Sequence, residues 1–305
     1  MRATVQRFLA LVTVLAVALG VSALRSPAAL AAQTCTTTTQ QPNPPTTQGY
    51  TIQVCLTAPA GTLTGDTTIS ATHMVIQGSA TVSFLTFILD GDYLLSAFQT
   101  PYAFTWHTAR HWIDGPHTLG VYANMSDGTD TRNSPAPGGP ATQNVTLANG
   151  VSLTPRNTSG PEPPVTGTVP AAGQPEIVGA VGSGADGAGS ATVANQVAAW
   201  SPNLFLYLGD VYQHGTYEEF DNWYDPSWGK MRSVTNPVPG DQESYYNRGG
   251  YGWYWNNKPA YYSYDAAGWH FISLTSCEFS DVPYPPNGLC GTSGAEVTWL
   301  NNDLE

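Results

Sequence analysis

The sequence predicts a protein of two domains, in which an all-β domain precedes an α/β domain. Between residues 50 and 148, short β-rich runs alternate with turn signals such as Asp90-Gly91, Asp114-Gly115 and Asp127-Gly128, a pattern typical of a β-sandwich. After residue 176 the pattern changes to strand, helix and strand, and such a βαβ unit implies a parallel sheet.

The first 32 residues have the composition of a secretory signal. Arg2 and Arg7 form a charged region, residues 9–21 are apolar, and Ala29-Leu30-Ala31 is a small-x-small cleavage site. A transmembrane anchor is the alternative, but the apolar run is short for a membrane span and no second one follows. We therefore expect a secreted, extracellular protein without a membrane anchor.

The chain is acidic and carries few charges. Only 10% of its residues are charged, and the formal net charge of −12 falls to about −15 without the signal, which holds three of the ten basic residues. A surface of this sign repels nucleic acid and anionic lipid. We expect no nucleic-acid partner.

The four cysteines are Cys35, Cys55, Cys277 and Cys290. In an oxidising compartment, their close spacing favours the disulfides Cys35–Cys55 and Cys277–Cys290. Zinc ligation is the alternative, although the chain lacks a Cys-x-x-Cys pair.

The residues after the signal divide into four segments. Residues 33–49 are rich in Thr, Gln and Pro and are predicted to form a leader, either flexible or lying along the surface. Residues 50–149 form the predicted β-sandwich, residues 150–174 a Pro- and Gly-rich linker, and residues 175–305 the α/β domain. The predicted strands of the sandwich are residues 51–56, 80–89, 102–106, 118–123 and 143–147.

The β-rich segment resembles bacterial immunoglobulin-like modules over about residues 65–148. The resemblance rests on Phe87-Ile88-Leu89-Asp90-Gly91, on residues 101–106 (Pro-Tyr-Ala-Phe-Thr-Trp) and on residues 114–119 (Asp-Gly-Pro-His-Thr-Leu). It implies an immunoglobulin-like sandwich of the kind that serves as a spacer or surface-binding unit on secreted enzymes.

In the α/β segment, Ser190 is predicted to cap a helix that has Val193, Val197 and Trp200 on one face. A second helix is predicted to start at Thr216, where Glu219 completes a capping box. The other predicted elements are strands at 177–181 and 204–208, a hairpin of 261–264 with 270–274, and a last helix from about residue 293.

Acidic residues follow two strands of this segment. Leu208-Gly209-Asp210 closes the apolar run 204–207, and Pro239-Gly240-Asp241 follows Val238. In an α/β fold, the carboxyl ends of the strands present side chains to a metal or substrate. Two carboxylates delivered in this way are typical of a metal-dependent hydrolase.

Residues 176–305 resemble the calcineurin-like metallophosphoesterases, a superfamily that includes the purple acid phosphatases. The stretches that carry the resemblance are residues 206–212, 220–229, 237–240, 261–265 and 268–274 and the Cys277/Cys290 pair before Trp299. It implies a two-sheet α/β sandwich, a pair of divalent metal ions (Fe, Mn or Zn) and a small phosphoester substrate. It also implies that Asp210 bridges the metals, that Asp241 is a ligand, and that Gln242 stands in the place of the proton-donating His.

The chain departs from the family pattern at several positions. The first strand ends in Gly182-Ser183 where the family has Gly-Asp, and Asp186 lies three residues later in a Gly-rich turn. Gln242 cannot shuttle a proton as His would. The remaining His ligands of the family would follow residue 305. We therefore expect weak or no activity, and a chain that is a fragment of a longer reading frame with a half-built second sheet.

Other candidate residues have more ordinary interpretations. His214 is expected in an exposed loop, His270 in the core or supporting the site, and His107, His111 and His117 on the surface. Ser183 lacks the Gly-x-Ser-x-Gly pattern of a nucleophile elbow. The aromatic residues between 245 and 255 are expected to pack under a loop, and their alternative role is contact with a cell-wall glycan by an inactive phosphoesterase scaffold.

Overall fold

Two facing β-sheets form the first half of the chain in the computed structural model, which describes residues 31–41, 49–110, 112–133, 138–151, 170–185, 188–244, 249–256, 258–275 and 294–305. One antiparallel sheet has the spatial order β1 (Ala31–Gln40), β2 (Tyr50–Pro59), β4 (Asp66–Gly78) and β7 (Tyr102–His107). The other has the order β3 (Gly61–Leu63), β9 (Ala141–Leu147), β8 (Gly115–Met125), β5 (Val82–Leu89) and β6 (Asp92–Ala97). The all-β domain predicted from the turn spacing is confirmed.

The core of this sandwich is built by alternation along its strands. In β7, Tyr102, Phe104 and Trp106 are buried while Ala103 and Thr105 between them are partly exposed. Trp106 is completely buried in a single hydrophobic cluster to which both sheets contribute. Truncation of such a residue to Ala costs about 3–5 kcal/mol.

The first strand differs from the prediction for residues 33–49. Ala31–Gln40 is not an irregular leader but pairs along its whole length with β2, from Ala31 opposite Pro59 to Gln40 opposite Tyr50. The predicted Cys35–Cys55 disulfide is present and joins these two strands, with Cα atoms 4.0 Å apart. A composition rich in Thr, Gln and Pro predicts a leader, yet Thr is β-branched and suits an edge strand.

Some predictions fall on residues that the structure does not describe. These are most of the signal segment, the central part of the linker at 152–169, Asp186, and the Cys277–Cys290 pair.

A three-stranded parallel sheet organises the second half, in the order β10 (Val178–Val181), β11 (Leu204–Tyr207) and β12 (Thr235–Pro237). Helix α1 (Ala188–Ala199) connects β10 to β11, so the predicted βαβ unit is confirmed. One face of the sheet packs on helices through Phe205 and Tyr207, which are buried with Trp228.

Helix α1 differs in detail from its prediction. It starts at Ala188, so Ser190 lies inside the first turn and is not the N-cap. Ala194 and Val197 are buried, whereas Val193 and Trp200 are 45% and 60% exposed. The helix approaches the sheet closely, because a Cβ on Gly179 would lie 3.1 Å from Val197. The buried face of α1 therefore includes the small residue Ala194 and lies close to Gly179 of the sheet. A sequence pattern based on large apolar side chains does not detect such a face.

The remaining elements follow the expected order. Thr216 caps α2 (Tyr217–Glu219) with the predicted capping box. The chain continues through a π-turn at Phe220–Tyr224, 3₁₀ turns at Gly229–Val234 and Gln242–Ser244, α3 (Gly249–Tyr254), the hairpin of β13 (Tyr262–Ala266) with β14 (Trp269–Ser273), and α4 (Ala295–Asp303). Within the residues described, none of the helices has both the length and the apolar character needed to cross a bilayer.

Residues 216–224, which we call the docking segment, attach the second half to the sandwich. The hydroxyl of Thr216 donates to the carbonyl of Leu94 at 2.7 Å. The indole N–H of Trp112 donates to the Glu218 carboxylate at 2.8 Å. These side chains come from opposite halves of the chain, so the two halves share one hydrogen-bonded interface.

Asn222 of the docking segment closes an open sheet edge. β7 is the last strand of its sheet, and the backbone N–H of Thr105 donates to the side-chain oxygen of Asn222 at 3.0 Å. The side-chain amide of Asn222 donates back to the carbonyl of Thr105 at 3.1 Å. The side chain of Asn222 thus makes the two hydrogen bonds that a neighbouring strand would make, and it satisfies backbone groups of Thr105 that a sheet edge leaves unpaired.

Glu219 is the buried carboxyl group at the centre of this interface. Its carboxylate accepts hydrogen bonds from the hydroxyl of Tyr93 and from the backbone N–H groups of His214 and Thr216, the last two at 3.1 and 3.2 Å. Burial raises the pKa of this carboxyl group to about 8, although these donors act in the opposite direction.

The raised pKa of Glu219 predicts a loss of stability with rising pH. The folded carboxyl keeps its proton up to about pH 8, whereas the unfolded one loses it near 4.3. Between those values the unfolded state binds fewer protons, so the free energy of unfolding falls as the pH rises, by a few kcal/mol in order of magnitude.

Thermal melts at pH 5 and pH 8 test this expectation. Glu219→Gln keeps the shape of the side chain and removes the titration, so the difference in melting temperature between the two pH values should shrink relative to the wild-type protein. Equal pH dependence in the two proteins would show that Glu219 does not titrate in this range.

Candidate functional site

The carboxyl ends of the three parallel strands meet as the sequence predicts. The backbone N–H of Ser183, which follows β10, donates to the carbonyl of Gly209 at 3.0 Å. The Ser183 hydroxyl donates to one oxygen of Asp210 at 3.2 Å, and the backbone N–H of Gln242 donates to the other at 3.3 Å. The carboxylate of Asp210 thus lies between the ends of β10 and β12.

The backbone around Asp210 adopts left-handed conformations. Ser183, Asp210 and Tyr212 have φ angles of 51°, 59° and 68°. Such conformations cost of order 1 kcal/mol or more for residues with a side chain and are concentrated at functional sites. Three of them within one set of contacting loops indicate that the surrounding structure imposes the shape of this edge.

Glu243 holds the two acidic loops together. One carboxylate oxygen accepts from the backbone N–H groups of Asp210 and Gly240 at 3.0 and 2.7 Å, and the other accepts from Val211 at 2.6 Å. The side chain is 1% exposed. Burial raises its pKa, whereas the three backbone donors favour the charged form. Glu243 is therefore a positioning residue for Asp210, a role that the sequence analysis did not assign.

Two glycines allow the loops to touch. A Cβ on Gly209 would lie 2.1 Å from the backbone nitrogen of Gly240, and one on Gly240 would lie 2.1 Å from a carboxylate oxygen of Asp210. Both distances are far below van der Waals contact, so any other residue would force the loops apart. The signal in the sequence was the Gly-Asp pair at each strand end.

The ligand set at this edge does not fit a dinuclear metal centre. Glu243 is turned inward onto backbone donors, and both oxygens of Asp210 already accept hydrogen bonds. The carboxylate of Asp241 accepts from the side-chain amide of its neighbour Gln242 at 3.2 Å. Within the described part of the chain, no three His, Cys, Asp or Glu residues are grouped as metal ligands would be. Asp210 and Asp241 alone would make a weak, hydrated cation site.

The described histidines contribute to other parts of the structure. His214 is partly buried and not exposed as predicted. Its ring packs at a tilt against Tyr93 with ring centres 3.9 Å apart, and burial lowers its pKa to about 4. His270 is not a core residue, because its side chain is 40% exposed and bridges Asp265 and Asp303 at 2.8 and 2.9 Å.

Hydrogen bonds to these two carboxylates raise the pKa of His270. His107 lies at the domain interface, where it contacts Asp66 at 2.5 Å and Asp221 at 2.7 Å, so its surface assignment was wrong. His117 is paired with Asp90 at 2.7 Å, and His111 lies outside the described residues.

Three of the four described aromatic residues between positions 249 and 255 belong to the core. Tyr251, Tyr254 and Trp255 are 2%, 3% and 5% exposed, and they pack with Phe220 and Trp228 in one cluster. Trp253 alone among the described members of this set is exposed, at 37%. The packing interpretation is confirmed for the three buried residues, while Tyr245 and Tyr246 lie outside the described part.

The close approach at Gly240 yields a test of this geometry. Gly240→Ala should lower the melting temperature or prevent folding, because the new methyl group would collide with Asp210. Gly189→Ala in the first turn of α1 is the matched control, since nothing lies within 4 Å of the added atom and Ala favours a helix by about 1 kcal/mol. A Gly240→Ala protein as stable as the control would contradict the described contact.

Comparison with known proteins adds one structural similarity. No family model matches the sequence, and no curated protein matches it significantly. Among solved structures, the chain is similar to the fibronectin(III)-like modules of Clostridium thermocellum CbhA, with 22% identity, a TM-score of 0.23, and coverage of 31% of this chain and 94% of that one. The description of the fold therefore rests on the strand pairing of this chain itself.

Proposed function

We propose that this chain is a secreted protein of the metallophosphoesterase type that hydrolyses phosphoesters weakly or not at all. The observation that supports this proposal is the meeting of Ser183, Asp210 and Gln242 at three adjacent ends of parallel strands. Parallel sheets place their ligand-binding side chains at that edge.

The low activity follows from what the side chains at this edge can do. Asp210 offers a carboxylate that faces the strand ends, and Asp241 offers a second one on the next loop. Neither Ser183 nor Gln242 titrates near neutral pH, so neither can donate a proton to a leaving group at the rate that an imidazole can. Loss of each ligand or of its supporting group lowers metal affinity or activity about ten- to a hundred-fold.

In this proposal, Asp210 binds a cation and Glu243 orients Asp210. Divalent Fe, Mn or Zn, if bound, would supply charge stabilisation for a phosphoryl group. Asp241 would be its second protein ligand. The acidic surface favours cations over a phosphate anion until a metal is present.

Hydrolysis of p-nitrophenyl phosphate and bis(p-nitrophenyl) phosphate, with Mn, Fe or Zn added, tests the proposal. We expect kcat to stay below about 1 s⁻¹, the lower limit of typical enzymes. Gln242→His should not restore activity, because Ser183 still occupies the place of the first Asp ligand.

Asp210→Asn is the matched control, since it keeps the size of the side chain and removes its charge. Ordinary turnover by the wild-type chain that disappears in Asp210→Asn would contradict the proposal of weak activity. Metal binding by the wild-type chain that Asp210→Asn leaves unchanged would contradict the assigned cation site.

A further inference from the structure

A cavity of about 320 Å³ lies between the two halves of the chain. The sandwich contributes Phe98, Gln99 and Thr100 to its wall, and the second half contributes Tyr212, Asn222 and Trp223. The cavity is at the lower end of the volume range of ligand pockets, about 300–1,000 Å³, and interfaces between domains are preferred places for such pockets.

The walls of this cavity combine aromatic rings with uncharged polar groups. Phe98 and Tyr212 meet edge to face with ring centres 4.7 Å apart, and Trp223 lies 6.3 Å from Tyr212. All three rings are half-buried, so each keeps part of its surface open. None of the described residues that line the cavity is Asp, Glu, Lys, Arg or His.

The position of Tyr212 is maintained against its backbone preference. Its φ of 68° is left-handed, a rare conformation for a bulky residue. Its backbone N–H donates to the carbonyl of Asp210 at 2.9 Å, in the turn that follows β11. That turn directs the ring against Phe98 of the other half. The backbone therefore bears strain at the residue that forms the shared aromatic wall.

We propose that this cavity binds a neutral saccharide of one or two hexose units. The described residues of its wall carry no charged side chain that would pair with a phosphate, carboxylate or amine. Open aromatic faces suit the apolar C–H face of a sugar ring, while the amide of Gln99 and the hydroxyl of Thr100 at the exposed rim suit its hydroxyl groups. This inference goes beyond the proposed function and does not depend on Asp210.

Calorimetric titration of the full chain with cellobiose, maltose and N,N′-diacetylchitobiose tests the proposal. We expect at least one of the three to bind with a Kd of about 1 mM or tighter. Ala191→Phe places a ring at the cavity wall from the exposed surface of α1 and should weaken binding about tenfold or more. Val193→Phe is the matched control, because Val193 is an exposed residue of the same helix and does not line the cavity.

Tyr212→Gly is a second variant, which tests the proposal even where Ala191→Phe disturbs folding. Glycine accepts the left-handed backbone, which offsets part of the packing lost with the ring, so this variant should still fold and should bind the sugar about tenfold more weakly or worse. Failure of all three sugars to bind, binding that Ala191→Phe leaves unchanged, or binding of indole with no sugar bound would each overturn the proposal.

Discussion

The docking segment at residues 216–224 is the constraint on which the rest of the molecule depends. Glu219 is completely buried and accepts hydrogen bonds from a tyrosine of the sandwich and from backbone groups of its own loop. A buried carboxyl group in such a place is tolerated only while its hydrogen-bond partners stay aligned, since a buried polar group left unpaired costs about 1–3 kcal/mol. Separation of the two halves would deprive Glu219 of the Tyr93 hydroxyl and the backbone of Thr105 of Asn222. The interface therefore acts as one cooperative unit and not as a flexible linker.

At the carboxyl-end edge of the parallel sheet, the carboxylate of Glu243 orders the backbone and does not face a ligand. Glu243 accepts three backbone N–H groups from both acidic loops, and this fixes the loop that carries Asp210. A metal ligand must present free lone pairs to the ion, which Glu243 cannot do while it binds the backbone. The same bonds that order the edge thus reduce the number of ligands that the edge can offer.

Sequence reasoning succeeded where a periodic pattern decides the structure. The alternation of Tyr102, Phe104 and Trp106, the capping box at Thr216 and the Gly-Asp pair at Asp210 are local signals, and the structure contains each of the corresponding elements. It failed where the cause is a contact between distant residues. Asn222 covers the edge of β7 across 117 positions in sequence, and Glu243 reaches Asp210 across 33. The close approach of Val197 to Gly179 of β10 likewise joins two elements and cannot be read from the helix alone.

The turn after β11 carries both Asp210 and Tyr212 and directs their side chains to different surroundings. Asp210 faces the strand ends, where its partners are Ser183 and Gln242, whereas Tyr212 faces the sandwich, where its partner is Phe98. Two left-handed residues separated by one position let the chain direct a carboxylate and an aromatic ring to different surroundings. The surroundings of Asp210 are polar and acidic, whereas the described residues that line the cavity beside Tyr212 carry no charge. A ligand suited to one would be poorly suited to the other, because a cation needs carboxylate oxygens and a neutral ring needs apolar contact. The strained turn is therefore best explained as the structure that holds both surfaces apart on a single loop.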